Sequence, residues 1–421
     1  MVRPLKWLDS LNVCRAIYVT LIQSALIYWY LQKNAITEQY NLRQDILYYN
    51  TSYFPFIKPY DYFYPEFNPE VVLVFVHIQK TGGTFVESAL TRSGVVGFPC
   101  RRLRRKTCDC NFKNNIWLFS RFSVGWKCGL HADFTELREC VPEALSRLEH
   151  TERPRRLVYF TVLRDPIDRY VSEYLHMNRK HAFWDGSTLR CKGKSPPHNN
   201  ITCDFANGNL TLISFYRYAN CPHSLSNNRQ TRMLASLADL DCYTHLNEWT
   251  QPIPSNISLS SHQIDLFLSA IDNLAIEMAT FGIIEHSVYS QYMYRMVLGL
   301  IFKVPFVNKS NDSWTVEAYK TPGYLPQGWR SMSEDRNRLD VAYISFARIL
   351  FSRRLAARLR AESALPVRWR LQLRRINSNL LISDAYLERV MSQYLTRFLR
   401  TEAKRRIRLE SAHSLTPVPK S

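Results

Sequence analysis

The sequence predicts an α/β fold, a P-loop-like parallel sheet flanked by helices, with an N-terminal transmembrane anchor. Three observations carry that expectation. VVLVFVHI from Val71 and LVYFTVL from Leu157 are continuous apolar, β-branched runs of strand length, as expected for strands covered on both faces. Each leads through a short turn into a segment that reads as helix, the pattern of a parallel sheet. Residues 16–31 (AIYVTLIQSALIYWYL) carry no formal charge. A chain of 421 residues, 46% apolar and with only 13 Gly and 20 Pro, can build one large domain plus appendages, which excludes a collagenous or wholly disordered protein.

The apolar run is short for a bilayer span but suits a thin membrane. Arg3, Lys6 and Arg15 against Asp9 favour a cytoplasmic N-terminus, Tyr28 to Tyr30 suit an interfacial belt, and no small-residue cleavage pattern follows. The expected organisation is therefore a cytoplasmic tail 1–15, a signal anchor 16–32, a lumenal stem 33–69, a catalytic-size domain 70–360 and a basic extension 361–421. Nine of ten cysteines fall between Cys100 and Cys242, a distribution that reads as disulfide stapling in an oxidising compartment. Zinc is the rival reading, although the usual C-x2-C spacing is missing. Nine is odd, so one thiol must be free or bonded to another chain, and the pairing stays open. Six N-x-[ST] acceptors, at Asn50, Asn200, Asn209, Asn256, Asn308 and Asn311, fit a lumenal chain.

Helical periodicity is read in IDRYVSEYLHMNRK after Pro166, in IDLFLSAIDNLAIEMATF, in HSVYSQYMYRMVLGLIF and in VAYISFARILFSRRLAARL. The net charge is +19, of which residues from Asp340 onward contribute +11, with 17 Lys plus Arg against 6 Asp plus Glu. Such a field favours a polyanionic partner. A lumenal chain with clustered cysteines makes nucleic acid a poor candidate for that partner.

Two motifs carry chemistry. After the first run comes HIQKTGGT, His77 to Thr84. A glycine-containing turn between strand and helix cradles an anion with backbone N–H groups, to which Lys80 adds a full charge. Gln79, Lys80, Thr81, Gly82, Gly83 and Thr84 are the candidates. A Walker A loop places lysine after the glycines, whereas Lys80 precedes them, so an ordinary ATP-dependent kinase is disfavoured. After the second run, RDPIDRYVS places Arg164 at a strand end and Ser172 in the following helix, suited to a second phosphate.

Together these motifs resemble the 5′-phosphosulfate loop and the 3′-phosphate site of sulfotransferases that use 3′-phosphoadenylyl sulfate. HIQKTGGT, WLFSRFSVGWKCGLHADFTEL from Trp117, NNRQTRML from Asn227 and FGIIE from Phe281 resemble heparan sulfate 6-O-sulfotransferases in particular, in order and mostly at similar spacing from about Glu66 to about Leu359. Phe85 departs from a second threonine expected there, and the Arg-rich segment around Pro366 has no counterpart. The resemblance implies a sulfotransferase fold and a single-pass type II protein of the Golgi membrane with a lumenal catalytic domain. It implies transfer of a sulfuryl group from 3′-phosphoadenylyl sulfate to the 6-hydroxyl of glucosamine in heparan sulfate, with no metal required. It makes His131 the base and Lys80 the residue that stabilises the leaving oxygen. Arg121, Trp126, His176 and Trp184 fall at or near substrate positions of the family, and Arg105 and Lys106 could join them. His77 sits at the strand end, where it could simply orient the loop. Arg229 and Arg232 have no assigned role beyond a structural ion pair. The alternatives are a sulfotransferase for another glycosaminoglycan hydroxyl, or a non-catalytic heparin-binding membrane protein.

Overall fold

The computed structural model describes residues 70–103, 107–112, 114–129, 131–180, 189–195, 213–221, 224–253, 257–306 and 327–361, with a few positions near 400–407. The chain divides into two compact units, residues 1–50 with 254–258 and residues 51–253 with 259–421. Every element below belongs to the second, and of the first only Ile257 and Ser258 are described.

In chain order the site is framed by β1 (Val71–Val76), α1 (Gly83–Ser88), β2 (Leu118–Phe119), α2 (Phe134–Glu149), β3 (Arg156–Leu163), α3 (Pro166–Lys180), α4 (Arg229–Leu234), α5 (Leu246–Thr250), α6 (Ser261–Asp272), β4 (Met278–Ile283), α7 (Ser287–Leu298) and α8 (Arg338–Ala361). The four strands form one sheet in the order β2-β1-β3-β4, and every pairing is parallel. Val72, Val74, Val76, Phe160 and Leu163 are each fully buried, and each such side chain contributes roughly 1.5–3 kcal/mol. Parallel pairing brings the carboxyl ends of β1 and β3 side by side, Val76 opposite Thr161, so both motifs emerge at one edge of the sheet.

Two of the four expected helices form as read, and a third, over residues 286–302, ends at Leu298 with Gly299 in the left-handed region. The fourth does not. The periodic pattern over residues 264–281 predicts one helix, but α6 stops at Asp272, a single wide turn covers Asn273–Glu277, and Met278–Ile283 is the fourth strand. All six residues of β4 are buried, and its pairing with β3 satisfies backbone groups that a helix would otherwise have to satisfy internally. Tertiary pairing overrides the local pattern there.

Three disulfides join Cys100 to Cys110, Cys128 to Cys140 and Cys191 to Cys242. Cys221 is disulfide-bonded as well, and among the described residues the free thiol is Cys108, which is buried. No helix among the described residues is long and apolar enough to cross a membrane. Residues 16–31, the stem 33–69 and all six N-x-[ST] asparagines lie outside the described residues.

Candidate active site

The turn after β1 is shaped by backbone conformation. Lys80 and Gly82 both take positive φ, at 65° and 94°, and for Lys80 the left-handed region costs roughly 1–2 kcal/mol. A Cβ on Gly82 would lie 2.7 Å from Ile284, just past β4, and one on Gly83 would lie 2.8 Å from the His77 ring. Both glycines are therefore required by close packing. Thr81 is buried and its hydroxyl donates to the Ile78 carbonyl at 3.0 Å, so that side chain braces the turn and leaves only its backbone to face a ligand. Phe85, where a threonine was expected, packs edge-on against Phe306 with ring centroids 4.9 Å apart.

The second motif is tied to the first by Arg164, whose Nη1 donates to the Lys80 carbonyl at 3.1 Å. Gln230 clamps Arg164 on both sides: its Oε1 accepts from the Arg164 N–H and its Nε2 donates to the Arg164 carbonyl, both at 2.9 Å. Asp340 in turn accepts from the Gln230 N–H at 3.1 Å and from the Thr231 N–H at 2.8 Å. Glu285, at the end of FGIIE, accepts from the Asp165 N–H at 2.8 Å. The segments NNRQTRML and FGIIE thus hold the RDP turn in place. Arg229 pairs with Glu173 at 2.6 Å, the structural ion pair expected of it, and Glu173 also takes Arg169 at 2.5 Å. Arg232 donates to the Leu225 carbonyl at 2.8 Å. Ser172 is buried on α3, and half-buried His176 follows one turn later on the same face.

Opposite the turn lies the segment from Arg121 to Asp133. Arg121 Nη2 donates to Thr84 Oγ1 at 2.8 Å and pairs with Glu87 Oε2 at 3.0 Å. Its guanidinium lies 5.3 Å from the Trp126 ring centroid, and that ring lies 5.1 Å from His131. Trp126 is 46% exposed, unusual for so large an apolar surface, and offers a face on which a sugar ring could stack. His131 is buried at positive φ, 55°, with its ring 5.1 Å from that of His77. Burial, followed by the proximity of His77, Arg229 and Arg121, holds the His131 pKa well below the usual histidine range. A neutral imidazole beside cations is able to accept a proton.

Just beyond His131, Asp133 caps α2 by accepting from the Glu136 N–H at 2.9 Å. Burial raises Asp133 to about 6. Burial and then the Asp133 charge push Glu136 up to about 9. Trp184, Arg105 and Lys106 lie outside the described residues.

The donor set of the turn suits a nucleotide-borne phosphosulfate. It combines a lysine, two close-packed glycines and an arginine just past the end of β3, with no acidic side chain in the turn itself. Among the described residues one group, His245, Glu248 and His262, has the spacing to hold a metal ion. It lies at the start of α5 and on α6, where the two imidazoles stack nearly parallel at 3.5 Å and both Nδ1 atoms approach Glu248 Oε1, at 3.5 and 3.2 Å.

Sequence reasoning did not single out Glu87, Gln230, Glu173, Asp133 or Asp340. Gln230 and Asp133 had a signal, since they sit inside the NNRQTRML and WLFSRFSVGWKCGLHADFTEL motifs.

Residues 66–266 match the family model described as the sulfotransferase family. Heparan-sulfate 6-O-sulfotransferase 3-B of Danio rerio is 36% identical over 319 residues, covering 73% of this chain and 72% of that protein. Heparan-sulfate 6-O-sulfotransferase 2 of Gallus gallus is 35% identical over 311 residues, covering 72% and 73%. Heparan-sulfate 6-O-sulfotransferase 1 of Gallus gallus is 41% identical over 243 residues, covering 56% and 57%.

Proposed function

The chain belongs to the heparan-sulfate 6-O-sulfotransferase family, and from that membership we propose that it transfers a sulfuryl group from 3′-phosphoadenylyl sulfate to the 6-hydroxyl of glucosamine in heparan sulfate. The observation that carries the reading is the convergence at one sheet edge. The Lys80 turn, Arg164 just past the end of β3 and, through the Arg121–Thr84 bond, the Trp126–His131 segment all meet there.

When bound, the donor supplies a sulfuryl group attached to a phosphate oxygen. The residues do the rest. The turn Gln79 to Thr84 holds the phosphosulfate end with its backbone N–H groups and Lys80, while Arg164 and Ser172 hold the separate 3′-phosphate. Lys80 opposes negative charge as it builds on the bridging oxygen, an electrostatic effect strongest in a water-poor site. The imidazole of His131 takes the proton of the attacking hydroxyl. Trp126 and Arg121 orient the acceptor sugar and its anionic groups, with His176, Trp184, Arg105 and Lys106 extending that surface. Transfer in this scheme proceeds without a metal.

The proposal extends to location: a single-pass type II protein of the Golgi membrane, anchored in the bilayer by residues 16–32, with the stem 33–69, the catalytic domain 70–360 and the extension 361–421 in the lumen. The charge-free run at 16–31 and the disulfides among Cys100 to Cys242 support it.

The test is the full chain, expressed in the secretory pathway, given labelled 3′-phosphoadenylyl sulfate and heparan sulfate, with disaccharide analysis of the product. New 6-O-sulfated glucosamine is the expected result. Label at another position would keep the donor and move the acceptor, and polymer binding without transfer would leave a heparin-binding protein.

A further inference from the structure

Glu87 has no part in the scheme above, yet it is fully buried on α1, immediately behind the turn. Its Oε2 pairs with His77 Nδ1 at 2.7 Å and with Arg121 Nη2 at 3.0 Å. From these two partners a circuit closes. Arg121 bonds Thr84 on the turn and lies over Trp126, Trp126 lies against His131, and His131 lies against His77. His77 in turn fills the space that a Cβ on Gly83 would need, with ring atoms 2.8 Å from that position. One carboxylate oxygen therefore touches both arms of a ring of side chains that includes the donor turn, the acceptor-side tryptophan and the base.

We propose that Glu87 is a positioning residue that fixes the distance between the donor turn and the acceptor base by holding His77 on one arm and Arg121 on the other. The proposal rests on the sulfotransferase reading above. A buried carboxylate with two nitrogen partners within 3.0 Å is drawn to both by charge in a low-dielectric setting and is held far more rigidly than an exposed one. Sub-ångström placement of a base against its proton matters strongly for rate. His77 then has two separate features that can be pulled apart: its ring volume, which packs on Gly83 and His131, and its Nδ1, which meets Glu87.

The experiment uses the full chain and measures kcat, acceptor KM and donor affinity separately. Glu87→Met removes both acceptors at similar length and is expected to lower kcat by about tenfold or more while donor affinity stays within about twofold. Glu87→Gln keeps one acceptor oxygen and should fall between. His77→Asn places an amide nitrogen near the position of Nδ1 and should retain most of the turnover. His77→Phe keeps the ring volume but not the bond and should lose as much as Glu87→Met. Because both act through one link, the double variant Glu87→Met/His77→Phe should be little worse than either alone.

Wild-type kcat in Glu87→Met overturns the proposal. So does a ranking of Phe above or equal to Asn at position 77, which would make His77 a space filler. If Glu87→Met does not fold, the two variants at position 77 decide the matter alone. Absence of 6-O-sulfate from the unmodified chain would defeat the proposed function itself, whereas an active chain with indifferent variants defeats only this inference.

Discussion

The two halves of the site are built by different means. The donor half hangs from the carboxyl ends of β1 and β3, its turn locked by close packing of Ile284 and His77 on Gly82 and Gly83 and its arginine clamped by Gln230. The acceptor half opens with a single helical turn, Arg121–Val124, and the proposed base His131 sits inside the segment closed by the Cys128–Cys140 disulfide. A sheet edge places a phosphate cradle with little freedom, as in many nucleotide-binding folds. The stapled segment is instead held by its own burial, with His131 to Leu137 all packed inside, and by the covalent link. In the proposed mechanism the donor contacts fall in the half built on the sheet and the acceptor contacts in the half held by a covalent clasp.

The comparison breaks most completely at the two residues to which the proposed mechanism gives the chemistry, one in each half. Lys80→Ala and His131→Ala should each reduce kcat by about 10²–10⁴-fold with near-ultraviolet circular dichroism unchanged. Normal turnover in both would show that the halves do not meet where the circuit suggests. Next, Arg164→Ala should raise donor KM by about tenfold or more, with Gln230→Ala shifting it the same way by less and acceptor KM unmoved. An acceptor effect from either would erase the division between halves.

Opening the clasp sharpens the contrast. The double variant Cys128→Ser/Cys140→Ser should cost up to about 3 kcal/mol of stability and raise acceptor KM. Donor affinity, measured by calorimetry with adenosine 3′,5′-bisphosphate, should stay unchanged. A smaller effect is expected at Glu136, raised to about 9 in the folded chain. A carboxyl whose folded pKa exceeds its unfolded value gives stability that is full below the unfolded pKa and lost as pH rises through the folded one. Glu136→Gln should therefore stabilise the protein by about 1 kcal/mol or more near neutrality, an advantage that disappears under acid conditions. Smallest is a shift in the pH–rate curve. A base held below the usual histidine range stays deprotonated as pH falls, so the acidic limb of kcat/KM should lie below about 6.5.

Much of this was legible in the residues. β1 and the buried part of β3 are almost wholly apolar because both faces are covered, and the glycines of the turn have no other use in a strand-to-helix junction. β4 was not legible, because MATFGI follows an amphipathic helix with no Gly or Pro between them and continues its apolar pattern. Whether such a run pairs as a strand is decided by β3, more than a hundred residues earlier. Glu87, Glu173 and Asp340 were hidden for a related reason. A lone acidic residue in a helical pattern reads as a solvated face, and only the assembled structure shows that each is fully buried against arginines or backbone N–H groups. The positions of Arg164, His131 and Trp126 were named from motifs, but the bonds that hold them are made by residues far off in the chain.

Asp340 also bears on synthesis. Its carboxylate holds the N–H groups of Gln230 and Thr231 and lies 4.0 Å from Arg169, and losing one partner of a buried ionic cluster costs about 3–5 kcal/mol. Both chemistry-bearing motifs are translated more than 150 residues before that carboxylate. A nascent chain that already contains the donor turn and the base would still hold Arg169, Glu173 and Arg229 without their closing member. Helix α8 acts as a latch that emerges late from the ribosome, and chains cut short of it would be handed to quality control before they could bind a donor.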